Sequence, residues 1–94
     1  MTEDTAGSRI SLELLGLFVE VVERQSISAA ARAWQIAPSL AARKIGRLEA
    51  ELDTRLFDRT TRRIHLTEAG VLTLAWARDV LAHHNRLTDD IDAL

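Results

Sequence analysis

Apolar positions recur at three- and four-residue intervals along most of this 94-residue chain, and the interruptions mark where helices should end. Ser11 is suited to cap a first helix over about 12–24, with Leu12, Leu15, Phe18, Val19 and Val22 at helical spacing and Glu13, Glu20 and Glu23 on the wet side. Gln25-Ser26-Ile27 interrupts the pattern, and Ser28 can cap a second helix over about 29–34. Its small Ala29, Ala30, Ala31 and Ala33 allow another helix to approach closely, and Trp34 reads as a core anchor. Gln35-Ile36-Ala37 then leaves the short turn of a helix-turn-helix before Pro38.

Pro38 suits the first turn of a third helix, where its missing N–H has no intrahelical partner to lose. Ala41, Ile45, Leu48 and Leu52 fall on one narrow stripe of that helix. Ser39, Leu40, Arg43, Gly46, Arg47 and Ala50 occupy the opposite face, free of acid until Glu51 at its edge. A helix buried on one side, with short side chains and arginines on the other, can lie close against a polyanion, which is the pattern of a DNA recognition helix.

After Leu52 the register changes. Asp53-Thr54-Arg55 reads as a turn, and residues 56–59 and 64–66 read as two very short strands around Thr60-Thr61-Arg62-Arg63, a hairpin with a basic tip. Thr67 can cap a last helix over about 68–94, with Glu68 favourable at its positive end. Ala77, Val80, His84, Leu87, Ile91 and Leu94 follow coiled-coil spacing, and Leu72 and Trp76 extend that apolar side toward the domain body. A helix of this length reaches about 40 Å at 1.5 Å per residue, further than the short helices of the body can cover.

Composition changes the picture in two places. The chain has no cysteine, which excludes disulfides, thiol catalysis and cysteine-bound zinc. The formal net charge of −2 hides a division. Residues 1–31 hold two basic against five acidic side chains, residues 32–65 eight against four, and residues 66–94 two against five. Positive charge therefore gathers around the third helix and the hairpin, and local potential governs docking on phosphate. No apolar run approaches the ~18 residues of a membrane span, and the polar start is unlike a secretory signal, so a soluble cytoplasmic protein is expected.

Phe18-Val19, Ser28-Ala29-Ala30-Ala31, Ala37-Pro38-Ser39, Arg43, Leu48-Glu49, the run Leu56 to Arg63 and Leu66-Thr67-Glu68-Ala69-Gly70, in this order and spacing, resemble LysR-type transcriptional regulators. The resemblance covers about residues 11–94. It implies a mainly α fold: a winged helix-turn-helix with a three-helix core and a short β-hairpin wing, then a long C-terminal dimerisation helix. The expected divisions are a flexible leader at 1–10, the winged domain at 11–67 and the linker helix at 68–94, with the effector-sensing domain that normally follows missing. Four positions depart from the family's habit. Ala37 removes a side-chain cap, Ala42 replaces a hydroxyl residue, Leu40 replaces a smaller residue and points outward, and Asp53 stands where glycine is common.

The implied activity is sequence-specific binding of double-stranded operator or promoter DNA by a homodimer in a bacterial cytoplasm, with higher oligomers only if an effector domain is present. Ser28, Pro38, Ser39, Leu40, Ala42, Arg43, Arg47, Arg59, Thr60, Thr61, Arg62 and Arg63 are the expected DNA-contacting residues. Ser28 and Ser39 would assist backbone N–H groups on phosphate, and Arg43 would reach a base or phosphate in the major groove. Leu40 would pack on a thymine methyl and Arg62 would enter or flank the minor groove. Trp76, Val80, His84, Leu87, Ile91 and Leu94 are the expected dimer contacts. Catalysis has little support: Asp79 and His83 share a helix face, but two ligands are not a metal site, and no phosphate loop or nucleophile elbow occurs. No cofactor, metal, membrane or small-molecule ligand is expected. The rival reading, a winged helix used only for protein contacts, suits the acidic flanks but gives no reason to gather Arg43, Arg47, Arg59, Arg62 and Arg63 along one edge.

Overall fold

Ser11 stands in extended conformation and its Oγ accepts the Leu14 N–H at 3.1 Å, which starts helix α1 at Leu12–Arg24. The computed structural model describes residues 10–58 and 64–94. Ile10 packs against the core and is therefore not leader; residues 1–9 lie outside the described residues. The buried side of α1 is Leu14, Leu17, Phe18 and Val21. Leu15, Val19 and Val22 are half-buried and Leu12 is exposed, so the expected stripe was rotated by roughly one position. Nearly every non-acidic position in α1 is apolar, and spacing alone does not choose among them. The neighbours choose, because α1 packs on each of the other helices.

Helix α2 is Ile27–Trp34, two residues longer at its start than the sequence suggested, and its cap is Ser26 instead of Ser28. Gln25 turns left-handed at φ 56°, which places Ser26 in extended conformation with its Oγ accepting the Ala29 N–H at 3.0 Å. Ser28 falls in the first turn of α2, exposed. Trp34 lies half-buried against Gly16 of α1. The Arg24 guanidinium bonds the Glu20 carboxylate and, with a further hydrogen bond from the Trp34 side chain, holds its pKa below the ordinary value of 4.5. A lowered folded-state pKa makes this small surface contribution present above pH 4.5 and lost as pH falls through the lowered value.

Helix α3 begins at Pro38 as expected and runs Pro38–Leu52. Ala41, Ile45 and Leu48 are fully buried, while Leu52 emerges at the helix end. All three helices of the body stop in the same way. Gln25, Gln35 and Asp53 take φ of 56°, 58° and 54°, and the next residue's N–H reaches back to Val21, Ala31 and Glu49 respectively. This is the Schellman stop, usually built on glycine. Asp53→Gly should therefore raise stability by about 0.5–1 kcal/mol, since glycine enters the left-handed region without a Cβ penalty. Urea unfolding checks this: the midpoint should rise with an unchanged slope, and no rise would mean that Asp53 is not strained.

The hairpin is small. Strand β1, Phe57–Asp58, pairs antiparallel with β2, His65–Leu66, with Phe57 opposite Leu66 and Asp58 opposite His65. The Phe57 ring is buried against Phe18, centroids 5.4 Å apart and tilted by 51°, which fixes the base of the wing to the core. Thr67 caps the last helix as expected, its Oγ1 accepting the Gly70 N–H at 3.0 Å, and α4 runs Glu68–Asp92. Gly70 and Ala77 are buried in the body, so Ala77 belongs to the core and not to a free seam. From residue 82 onward every position of α4 and its end is exposed. Together these elements form a winged helix-turn-helix with a projecting helix. Among the described residues, no helix is long and apolar enough to cross a membrane.

Candidate nucleic-acid interface

The exposed side of α3 is set by its buried side. With Ala41, Ile45 and Leu48 turned into the core, Ser39, Ala42, Arg43, Gly46, Arg47 and Ala50 face solvent. Leu40 is half-buried and only partly outward, which corrects the expectation that it simply points away. A Cβ added at Gly46 would meet nothing within 4 Å, so the middle of this face is low and open. Arg43 and Arg47 stand one turn apart, and among the described residues neither is held in an ion pair. Ala37, at the N-cap, makes no side-chain cap hydrogen bond, so the positive end of α3 is open to an external anion.

Helix α2 packs against α3 and brings exposed Ser28 beside this surface's scaffold. Arg32 lies four residues on, exposed, on the same side of α2 as Ser28, and was not among the residues singled out from sequence. The i, i+4 spacing from Ser28 was the signal available. Lys44 goes the other way: its Nζ lies 3.3 Å from Glu13 Oε1 on α1, so its charge is spent inside the domain.

Glu49 corrects the charge picture further. It is only 7% exposed, on the inner side of α3. Its Oε2 accepts the Leu56 N–H at 2.8 Å and the Phe57 N–H at 3.3 Å, with Arg55 Nε at 3.8 Å. One of the four acids counted against the basic segment is thus absent from the outer face. The signal for it was faint, since a charged residue beside the apolar stripe reads as solvated unless backbone N–H groups are known to lie there. Arg59, Thr60, Thr61, Arg62 and Arg63, the expected wing tip, lie outside the described residues.

The expected dimer contacts divide. His84, Leu87, Ile91 and Leu94 are exposed on the projecting half of α4, and Val80 is half-buried where the helix leaves the body. Leu72 and Trp76, on the same apolar side nearer the body, are 63% and 65% exposed. They border an apolar groove of about 300 Å³ with Ile10, Leu15, Leu52, Thr73, Ala77 and Val80. Asp79 and His83 have no third metal-ligating side chain with them among the described residues.

Comparison with known proteins matches this architecture. Residues 12–71 match the model of the bacterial regulatory helix-turn-helix proteins of the lysR family. The chain is 42% identical over 67 residues to the probable HTH-type transcriptional regulator LtrA of Klebsiella pneumoniae, covering 71% of this chain and 22% of that protein. It is 37% identical over 84 residues to the HTH-type transcriptional regulator PtxR of Pseudomonas aeruginosa, covering 89% of this chain and 27% of that one. Among solved structures, the BenM DNA-binding domain in complex with catB site 1 DNA aligns with a TM-score of 0.85 at 31% identity, over 89% of this chain and 94% of that one. The CbnR DNA-binding domain, also bound to DNA, aligns at 0.82 and 32% identity, over 89% and 97% of the two chains. The chain spans about a quarter of the length of the curated relatives it matches. With a family match over most of the winged domain and the helix-turn-helix in place, the chain belongs to the lysR family of bacterial regulatory helix-turn-helix proteins.

Proposed function

We propose that the chain binds double-stranded DNA sequence-specifically as a homodimer, as the DNA-binding part of a LysR-type transcriptional regulator acting in the bacterial cytoplasm. One observation carries the reading: α3 presents two arginines that have no ion-pair partner among the described residues, on a low face whose one acid, Glu51, stands at its edge, and the helix begins at an open end. The BenM and CbnR DNA-binding domains, both solved in complex with DNA, support it. On this reading α3 lies in the major groove, with Arg43 toward base edges and Arg47 and Ser39 toward phosphate. Ser28 and Arg32 serve the backbone from α2. Arg59, Thr60, Thr61, Arg62 and Arg63 supply the wing contacts, with Arg62 at the minor groove. Half-buried Leu40 reaches only a thymine methyl that comes close to the helix. The exposed half of α4 pairs two chains through Leu87, Ile91 and Leu94, with Trp76, Val80 and His84 nearer the body.

Arg43→Ala tests the recognition face. The side chain contributes nothing to the core, so the variant should fold normally while specific binding weakens by about 1–3 kcal/mol. Titration of both proteins against a duplex selected from a random library, at one salt concentration, reads the difference. Equal affinities would remove Arg43 from the interface. Failure of the parent chain to bind any duplex at low salt would favour the protein-only reading of the wing and helices.

A further inference from the structure

Leu56 is tied to two helices at once, through the peptide on each side of it. Its N–H donates to Glu49 Oε2 of α3 at 2.8 Å, and its carbonyl accepts the N–H of Thr67, the cap of α4, at 3.0 Å. Thr67 Oγ1 doubles the second tie by donating to the Arg55 carbonyl at 2.7 Å. The Leu56 side chain is fully buried, so the residue has no slack of its own. A Cβ on Gly70 would stand 2.2 Å from the same Leu56 carbonyl oxygen, which shows how closely α4 is seated on it.

A second route from α3 to α4 passes through α1, which packs on both. That route is mainly apolar, with one exposed ion pair at each step, Lys44–Glu13 and Arg78–Glu23, and exposed pairs hold geometry weakly. Apolar packing resists separation far more than it resists sliding or small rotation. Hydrogen bonds to the backbone of one residue are directional and penalise a change of angle. We propose that Glu49 is the positioning residue that locks the recognition helix to the last helix through the backbone of Leu56, and so sets the half-site spacing that a dimer accepts. The second half of the proposal rests on the DNA-binding dimer reading above; the first half does not.

The two halves are tested separately. The chain has no cysteine, so Ala42→Cys on exposed α3 and Ala82→Cys on exposed α4 give a clean pair of spin-label sites. Dilution with unlabelled chain leaves only distances within one chain. The parent should give one narrow α3-to-α4 distance, and Glu49→Ala should widen it at least twofold. Glu49→Gln, which keeps an acceptor oxygen, should restore most of the sharpness. If the alanine variant does not fold, Glu49→Asp, whose carboxylate falls one methylene short, should shift or widen the distance instead. A merely structural Glu49 would lower the melting temperature and leave the distance in the folded protein unchanged; that result overturns the proposal. The spacing claim is read by binding a pool of duplexes in which two selected half-sites stand at varied separations. The parent should enrich one separation about tenfold over its neighbours, and the Glu49 variant should spread enrichment across them. An unchanged profile overturns the spacing claim. A parent that binds none of the pool overturns the DNA reading and the spacing claim with it, while the distance measurement still decides whether Glu49 locks the helices.

Discussion

Gly70→Ala should lower the stability of the domain by about 2–3 kcal/mol, although alanine is the better helix former by about 1 kcal/mol. The added methyl would stand 2.2 Å from the Leu56 carbonyl oxygen and 2.8 Å from Leu66 Cδ2. The carbonyl is backbone and cannot swing aside, because it accepts the Thr67 N–H. Helix α4 must therefore lift away from the base of the wing, or the wing must shift from the core, and either loses buried contact. Gly46→Ala is the same substitution in the middle of α3, where a Cβ meets nothing within 4 Å. It should stabilise by about 0.5–1 kcal/mol through backbone entropy alone. Thermal melts of the two variants should thus move in opposite directions, the first down by roughly 10 °C or more and the second up by a few degrees. Equal shifts of one sign would show that Gly70 is not in close contact with Leu56.

How much of this was legible in advance depends on what kind of residue carried the information. Pro38 and Thr67 announced helix starts because their chemistry is local: a missing N–H and a hydroxyl that reaches three residues on. The wing was legible for the same reason, as two short apolar pairs around a basic run. Ser26 and Ser28 were not separable, because either hydroxyl could cap. The left-handed turn at Gln25 decides between them, and that turn is stabilised by bonds to Val21 and Val22 in the preceding helix. The deep face of α1 was missed by about one position because apolar residues line it almost all round. Glu49 was the largest omission. Its role depends on two N–H groups seven and eight residues away, at a place where the chain has already turned. Ala77 failed in the opposite sense: its spacing put it on the seam of the last helix, and the body covers it completely. Arg43 and Arg47 were legible because a single helix, once placed, determines its own outer face.

Replacing Leu87 and Ile91 together with lysine should convert the proposed dimer into a soluble monomer whose winged domain still folds. The two side chains are 58% and 56% exposed in the single chain, on the half of α4 that the body does not touch, so lysines there cost the monomer nothing in burial. In a paired helix they would place four ammonium groups at an apolar contact, where desolvation and mutual repulsion both oppose association. The DNA consequence is the informative part. Added positive charge on its own strengthens attraction to a polyanion, so pure electrostatics predicts equal or tighter binding. Loss of pairing predicts the reverse, because each half-site is then held without the raised effective concentration that the first contact gives the second. Affinity for a two-half-site duplex should fall by about 10²–10⁴-fold, while affinity for a single half-site should stay the same or rise slightly. Sedimentation of the free protein and titration of both duplexes read these outcomes. A variant that remains dimeric, or that binds the two-site duplex as well as the parent does, would place the pairing surface elsewhere, with the exposed groove around Leu72 and Trp76 the next surface to mutate.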